Sequence, residues 1–110
     1  MISNIGDRVK WASGFVDGEG YIQYKQEPYK RIRIEVCNTD FAPIQVLQDL
    51  FGGKIYNRKP RVSAKGTITK PQKMWVALNE ECYEACQSML PYLTTEKRIA
   101  TTTQILNHYE

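Results

Sequence analysis

One histidine and three cysteines are all the imidazole and thiolate ligands in this chain of 110 residues. The odd cysteine count cannot close into disulfides within one chain, so Cys37, Cys82 and Cys86 are expected as free thiols in a reducing compartment. Cys82 and Cys86 lie four apart on the apolar face of an expected helix, and with His108 they still lack a fourth ligand. Core thiols, and a solvent-exposed His108, are expected there rather than zinc. No apolar run approaches the roughly 20 residues of a membrane-spanning helix. Met1 to Lys10 lacks the basic-then-apolar plan of a secretory signal, so a cytoplasmic (bacterial or phage) or organellar location without membrane contact is expected. Internal repeats beyond one duplicated pattern, low-complexity tracts, a Ser-His-Asp set and a phosphate-cradling glycine loop are also missing.

What is present fits one soluble domain, with 42% apolar and 25% charged residues. The net charge of +3 is too mild to identify a partner, but its distribution is uneven. Lys54, Arg58, Lys59, Arg61, Lys65, Lys70 and Lys73 give +7 with no acid between them, so the remainder of the chain sums to 3 − 7 = −4. Lys25, Lys30, Arg31 and Arg33 against Glu27 add a second basic cluster, whereas Glu80, Glu81, Glu84 and Glu96 lie in a stretch without a base. One side of the molecule should attract polyanions and another repel them.

Ile2, Ile5, Val9, Ala12 and Val16 recur at spacings of three and four, predicting an amphipathic helix from about Ser3 to Val16 that Gly18 and Gly20 end. Tyr21–Glu27 and Lys30–Cys37 alternate in period two around Pro28-Tyr29, which predicts a hairpin with Ile22, Tyr24, Ile32, Ile34 and Val36 inward. Asn38-Thr39-Asp40 offers caps for a second helix carrying Ile44, Leu47, Leu50 and Phe51, stopped by Gly52-Gly53. A second strand pair, Lys54–Lys59 and Lys73–Leu78, flanks a long basic connection that would become ordered on binding a partner. Asn79 is expected to cap a third helix with Cys82, Ala85, Cys86 and Met89 on its inner face. Thr94 or Thr95 opens a fourth carrying Ile99, Thr103 and Leu106. The order α-ββ-α-ββ-α-α predicts an α+β domain: helices on one face of a four-stranded antiparallel sheet, the other face open.

The most informative segment is Trp11-Ala12-Ser13-Gly14-Phe15-Val16-Asp17-Gly18-Glu19-Gly20. Asp17 and Glu19 stand at a helix C-terminus, where the macrodipole disfavours acids by a few tenths to about 1 kcal/mol. Gly14 and Gly18 share a helical face and permit close approach of another backbone, so a tight helix pair is implied. Two acidic helix ends brought side by side repel unless hard divalent cations sit between them. A cation held by a carboxylate beside a basic sheet suits phosphodiester hydrolysis.

Gly14-Phe15-Val16-Asp17-Gly18-Glu19-Gly20 resembles the LAGLIDADG motif of homing endonucleases. Asn38-Thr39-Asp40, Leu50-Phe51-Gly52-Gly53-Lys54-Ile55, Leu90-Pro91-Tyr92-Leu93 and Lys97-Arg98-Ile99-Ala100 resemble further blocks of that family in the same order, so nearly the whole chain is covered. The resemblance implies an αββαββα fold. A single motif implies a homodimer that packs Gly14, Gly18, Trp11 and Phe15 at a two-fold axis, on a palindromic or near-palindromic DNA duplex. It further implies metal ligation by Glu19 with Gly18, by Mg²⁺ with Mn²⁺ or Ca²⁺ as substitutes, one phosphodiester cut per strand, and Asp17 supporting the helix end. Relatives often carry a lysine three residues after the position of Leu93. Here that position is Glu96, and Lys97 or Lys73 would have to serve as the catalytic base-side lysine.

Independently of the family, Lys25, Arg31, Arg33, Lys54, Arg58, Arg61 and Lys73 can contact phosphates or guanine, Gln23 can read adenine, and Tyr21, Tyr56 and Trp75 add flat contact area on the outward sheet face. Glu96 keeps open a cleavage-deficient DNA-binding regulator on the same fold, and family relatives that aid intron splicing keep open an RNA partner.

Overall fold

The helices and strands follow one another in the order the periodicities predict. The computed structural model describes residues 5–25, 31–60, 62–68 and 70–109. The expected turn at Pro28-Tyr29, the Lys30 and Ile2 positions and Arg61 lie outside the described residues. Helix α1 (Ile5–Glu19) leads into β1 (Gly20–Lys25) and β2 (Arg31–Asn38); α2 (Phe41–Phe51) leads into β3 (Lys54–Arg58) and β4 (Gln72–Leu78). Helix α3 (Asn79–Met89), a 3₁₀ turn (Leu90–Tyr92) and α4 (Glu96–Tyr109) complete the chain. The fold is α+β, with one antiparallel sheet in the order β1-β2-β4-β3. Among the described residues no helix is long and apolar enough to cross a membrane.

All four helices cover one sheet face. Ile22, Ile34 and Ala77 stand opposite one another across β1, β2 and β4, as do Val36, Trp75 and Ile55 across β2, β4 and β3. These residues meet Ala12 and Val16 of α1, Ile44 and Leu47 of α2, Cys82, Ala85, Cys86 and Met89 of α3, and Ile105 of α4 in one core. Full burial of each aliphatic side chain contributes about 1.5–3 kcal/mol, which fixes the register, because a one-residue slip would turn the whole set outward. The radius of gyration, 14.7 Å, exceeds the roughly 13 Å of a rounded domain this size, and the extents of 47 × 43 × 24 Å describe a flat body two layers thick. The β3–β4 connection adds to the width: its residues 62–68 are all exposed.

Several expectations need correction. Helix α1 does not stop before Gly18 but continues through Glu19. Asn38 Oδ1 accepts from Asp40 N at 2.8 Å, yet no side chain caps α2 at Asp40. Asn79 does not cap α3 with its side chain; it takes φ +51°, a conformation asparagine tolerates better than most residues. In α4 Ile99 and Leu106 pack against the core as expected, but the fully buried positions are Thr102 and Ile105, and Thr103 is exposed and donates to Ile99 O at 2.8 Å. The basic connection already holds a turn, closed by Ser63 N to Thr67 O at 2.8 Å and a Val62–Ile68 bridge. His108 is half-buried, 3.4 Å from Tyr24 Oη. Cys82 and Cys86 are core thiols as expected; the thiol of Cys86 and burial both push the Cys82 thiol far up, which keeps it protonated.

Trp75 and Lys73 are the corrections that matter for function. Both were expected outward, but they share the helix-covered face of β4, and Met74, Val76 and Leu78 take the open face. Trp75 is 0% exposed and donates Nε1–H to Gly52 O at 2.7 Å. A buried tryptophan removes about 150–250 Å² from water, about 4–6 kcal/mol at the usual coefficient, more than the exposed flanking positions can offset. Lys73 follows in register and escapes burial only because it lies at the end of the sheet. There its Nζ donates to Asn57 Oδ1 and lies 5.5 Å from the Phe41 ring centre.

The turn from α2 to β3 supports that tryptophan. Gly53 has φ +86°, and a β carbon there would stand 2.6 Å from Val76 O and 2.8 Å from Trp75 Nε1. Its N–H donates to Glu81 Oε2 at 2.7 Å. Gly53→Ala should therefore cost about 2 kcal/mol or more, read as a lowered urea midpoint. An unshifted midpoint would contradict the close approach of β4 to this turn.

Candidate functional site

Two helix ends meet where α1 passes into β1 and α4 begins. Asp17 and Glu19 are two residues apart, so on an ideal helix they point about 200° apart. Asp17 points into its own chain. Its Oδ2 accepts from Thr94 N at 2.7 Å and from the Thr94 hydroxyl, and its Oδ1 accepts from Thr95 N at 3.0 Å. These are the residues that lead into α4, so the carboxylate caps that helix from a distance in sequence of 77 residues. Burial alone would raise the Asp17 pKa, but the hydrogen bonds from Thr94 and Thr95 outweigh it and bring the group down to about 2.

Arg98 returns the interaction. Its Nε donates to Val16 O at 3.1 Å and its Nη2 to Gly20 O, so one guanidinium bridges the segment that carries Asp17, Gly18 and Glu19. A cation at a helix C-terminus satisfies carbonyls that have no intrahelical donor and opposes the negative dipole end. Gly20 completes the junction: a β carbon there would lie 2.8 Å from Val16 O. With its neighbour bound and its backbone pinned, Glu19 is left exposed at the tip.

Lys97, also exposed, borders a small groove with Tyr21, Ile22, Arg98 and Thr101. Its volume, about 60 Å³, suits a few solvent molecules, each taking about 30 Å³ in liquid water, and not an organic ligand. The structure thus gathers Asp17, Gly18, Glu19 and Lys97 about one junction. It does not bring Lys73 there: Lys73 lies on β4, two strands from Gly20, about 10 Å in strand spacings alone. Within one chain Lys73 therefore stands apart from these four residues.

A second feature of α1 is its open face. Trp11, Gly14, Phe15 and Gly18 recur at helical spacing; the two rings stack at 5.2 Å with planes 10° apart. Gly14 and Gly18 are exposed, and a β carbon at either would meet nothing within 4 Å. Neither glycine is required by packing within its own chain.

The third feature is the open sheet face. By register it carries Lys25 beside Arg31, Gln23 beside Arg33 and Leu78, Tyr21 beside Glu35, Val76 and Lys54, Cys37 beside Met74 and Tyr56, and Arg58 beside Gln72. Five cations and one acid give this face 5 − 1 = +4. Arg33 Nη2 is paired with Glu35 Oε2 at 2.7 Å, and Arg58 Nη1 donates to Cys37 Sγ at 3.5 Å. A surface ion pair of this kind contributes about 0–1 kcal/mol, so a phosphate or guanine can displace it. Gln23, Lys25, Arg31, Arg33, Lys54, Tyr56 and Arg58 all face the side on which they were expected.

No family model matches the chain, and no curated protein matches it. The site has therefore to be read from its own geometry. Thr94, Thr95 and Arg98 were not singled out by the sequence as site residues. The sequence marks Thr94 or Thr95 as opening a helix, but nothing local marks their partner as Asp17. For Arg98 the one signal is a cation early in a helix, where the dipole disfavours it.

The cap at Asp17 has a pH signature. The group's folded pKa lies below its ordinary 3.8, so its contribution is complete above about pH 4 and is lost as pH falls toward 2. The thermal midpoint of the native protein should drop across that window. Asp17→Asn should start lower at neutral pH and fall less steeply there; parallel curves would show that Asp17 does not carry the cap.

Proposed function

We propose that the chain is a DNA endonuclease of the LAGLIDADG type, acting as a homodimer on a palindromic or near-palindromic duplex and cutting one phosphodiester in each strand. The observation that carries this reading is the division of labour at the α1 tip: Asp17 is bound by Thr94 and Thr95 while Glu19 is held outward beside a glycine face that its own chain leaves open. A second copy laid on that face would bring a second Glu19 beside the first. The +4 sheet face would then run along a groove on either side of the paired tips.

Among the described residues no three His, Cys, Asp or Glu side chains gather into a metal cage. One chain supplies a free carboxylate at Glu19 and the helix-end carbonyl of Gly18. That set suits Mg²⁺, which keeps much of its water and draws remaining oxygens from phosphate; Mn²⁺ or Ca²⁺ accept the same donors. Bound there, the ion would neutralise charge on the phosphate and acidify a water. Glu19 would hold the oxygen side of the site. Lys97 borders the solvent groove and would steady the attacking water, and Arg98 and Asp17 act as positioning residues that fix the tip.

Glu96, exposed at the first residue of α4, favours a second reading in which the dimer binds duplex DNA without cutting, because it places an acid where polyanion would approach. Incubation with randomised duplex libraries with and without Mg²⁺ separates the readings. Metal-dependent cut ends support the nuclease, retention without cutting supports the regulator, and preference for structured intron RNA supports a splicing role.

Two variants sharpen the test. Glu19→Gln should abolish cutting and leave duplex affinity equal or higher, since a negative charge near phosphate is removed; equal cutting would take Glu19 out of the mechanism. Gly14→Leu should convert the dimer to a monomer by light scattering with its circular dichroism unchanged, because a side chain there meets nothing of its own chain at its first carbon. A mass that stayed dimeric would refute the helix contact.

A further inference from the structure

A cavity of about 330 Å³ lies where β3 ends, β4 begins and α2 starts, at the end of the sheet where Gly20 also stands but across β2 from β1. Among the described residues no α1 side chain lines it, and the open face contributes Arg58 and Gln72 to it. Its size falls at the lower end of small-ligand sites, about 300–1,000 Å³. Arg58, Lys59 and Lys73 line it; among the described lining residues there is no carboxylate, and the exposed Asp40 stands between lining residues Thr39 and Phe41. Phe41, Pro60 and Pro71 supply an apolar wall.

The three cations reach this cavity from different directions. Arg58 belongs to the open face of β3, Lys73 to the helix-covered face of β4, and Lys59 follows the end of β3. Side chains from both faces of a sheet converge only around its end, so the cluster is not a continuation of the flat basic surface. Lys73 is held in place there by Asn57 Oδ1 and the Phe41 ring, which lowers the cost of ordering it on a ligand. Three like charges around one hollow outnumber the single nearby acid, Asp40, and call for an anion. Phe41 remains 47% exposed, so the wall beside the cations is free to cover something apolar.

We infer that this cavity takes one sugar–phosphate unit of a DNA strand, with the phosphate on Arg58, Lys59 and Lys73 and the sugar against Phe41, Pro60 and Pro71. The inference rests on the nucleic-acid reading above and deepens it: each subunit would hold the strand where β3 ends and β4 begins, independently of base sequence. An inorganic phosphate would use only the cationic half of the site. The apolar wall is what distinguishes a nucleotide unit.

The test titrates the full chain with thymidine 5′-monophosphate and, separately, with inorganic phosphate, followed by amide shifts in nuclear magnetic resonance. Shifts should centre on Thr39, Asn57, Arg58 and Gln72, with the nucleotide binding about tenfold more tightly than phosphate. The Lys59→Ala/Lys73→Met double variant should lose them. On duplex DNA long enough to span both cavities, the same variant should bind more weakly on every sequence, and its log K against log salt slope should shrink by about 0.9 per phosphate released. Nucleotide shifts located elsewhere, or phosphate binding as tightly as the nucleotide, would overturn the assignment. Duplex binding with an unchanged slope would overturn it too, leaving the nuclease reading standing. Nucleotide binding in the cavity without any duplex binding would support the site and overturn the nuclease reading instead.

Discussion

Two helix ends that their own neighbours leave open are satisfied by each other, and the rest of the molecule is arranged around that exchange. Asp17 at the end of α1 caps the start of α4, and Arg98 from α4 caps the end of α1. Considered on α1 alone, the acid is misplaced by a few tenths to about 1 kcal/mol. Hydrogen bonds to a charged group contribute about 1.5–3 kcal/mol each, less where partly exposed, and Asp17 accepts three. The cap wins, and it also lies at the positive end of the α4 dipole. The charges thus cross over, each helix taking from the other the sign its own end lacks.

This exchange explains which parts of the site were legible in the sequence. Periodicity alone yields the element order, the sheet and the inward positions Ile22, Ile32, Ile34, Val36, Ile44 and Leu47, because each is a local property of one helix or strand. Asp17 and Glu19 were legible as a pair, since a helix C-terminus rarely tolerates two acids. Their opposite fates were not legible, because Thr94, Thr95 and Arg98 come nearly eighty positions later and only the packing of α4 on β1 brings them near.

The errors on β4 have a different origin. Its residues Lys73-Met74-Trp75-Val76-Ala77-Leu78, the span the sequence predicts as the strand, alternate, but each of the two alternating sets contains apolar residues. A lysine at the first position suggests that its set faces water. Burial of Trp75 decides otherwise, and the lysine finds solvent around the end of the sheet. In α4 the run Thr101-Thr102-Thr103 gives no hydropathy contrast at all, so the inward phase is set by Ile105 and is invisible until the helix is docked.

The angular arrangement of α1 makes the functional reading more than a list of exposed residues. With Asp17 at zero and about 100° per residue, Ala12, Ser13, Val9 and Val16 occupy the arc from about 220° to 320°, which is the side turned to the core. Lys10 falls near Asp17, and its Nζ lies 5.8 Å from the Tyr92 ring centre, on the side of the 3₁₀ turn and α4. Gly14, Gly18, Trp11, Phe15 and Glu19 share the remaining arc, from about 60° to 200°, with Asp7 and Arg8 near the start of the helix. One side of the helix is therefore committed to the core and one to α4. The third carries two exposed glycines and an exposed carboxylate, together with two aromatic rings that are only partly buried against the edge of the core. Gly14 weakens the helix interior by about 0.5–1 kcal/mol relative to alanine, and nothing within this chain compensates for it. A helix face that gives up stability in isolation makes physical sense when a second backbone comes close enough to recover it.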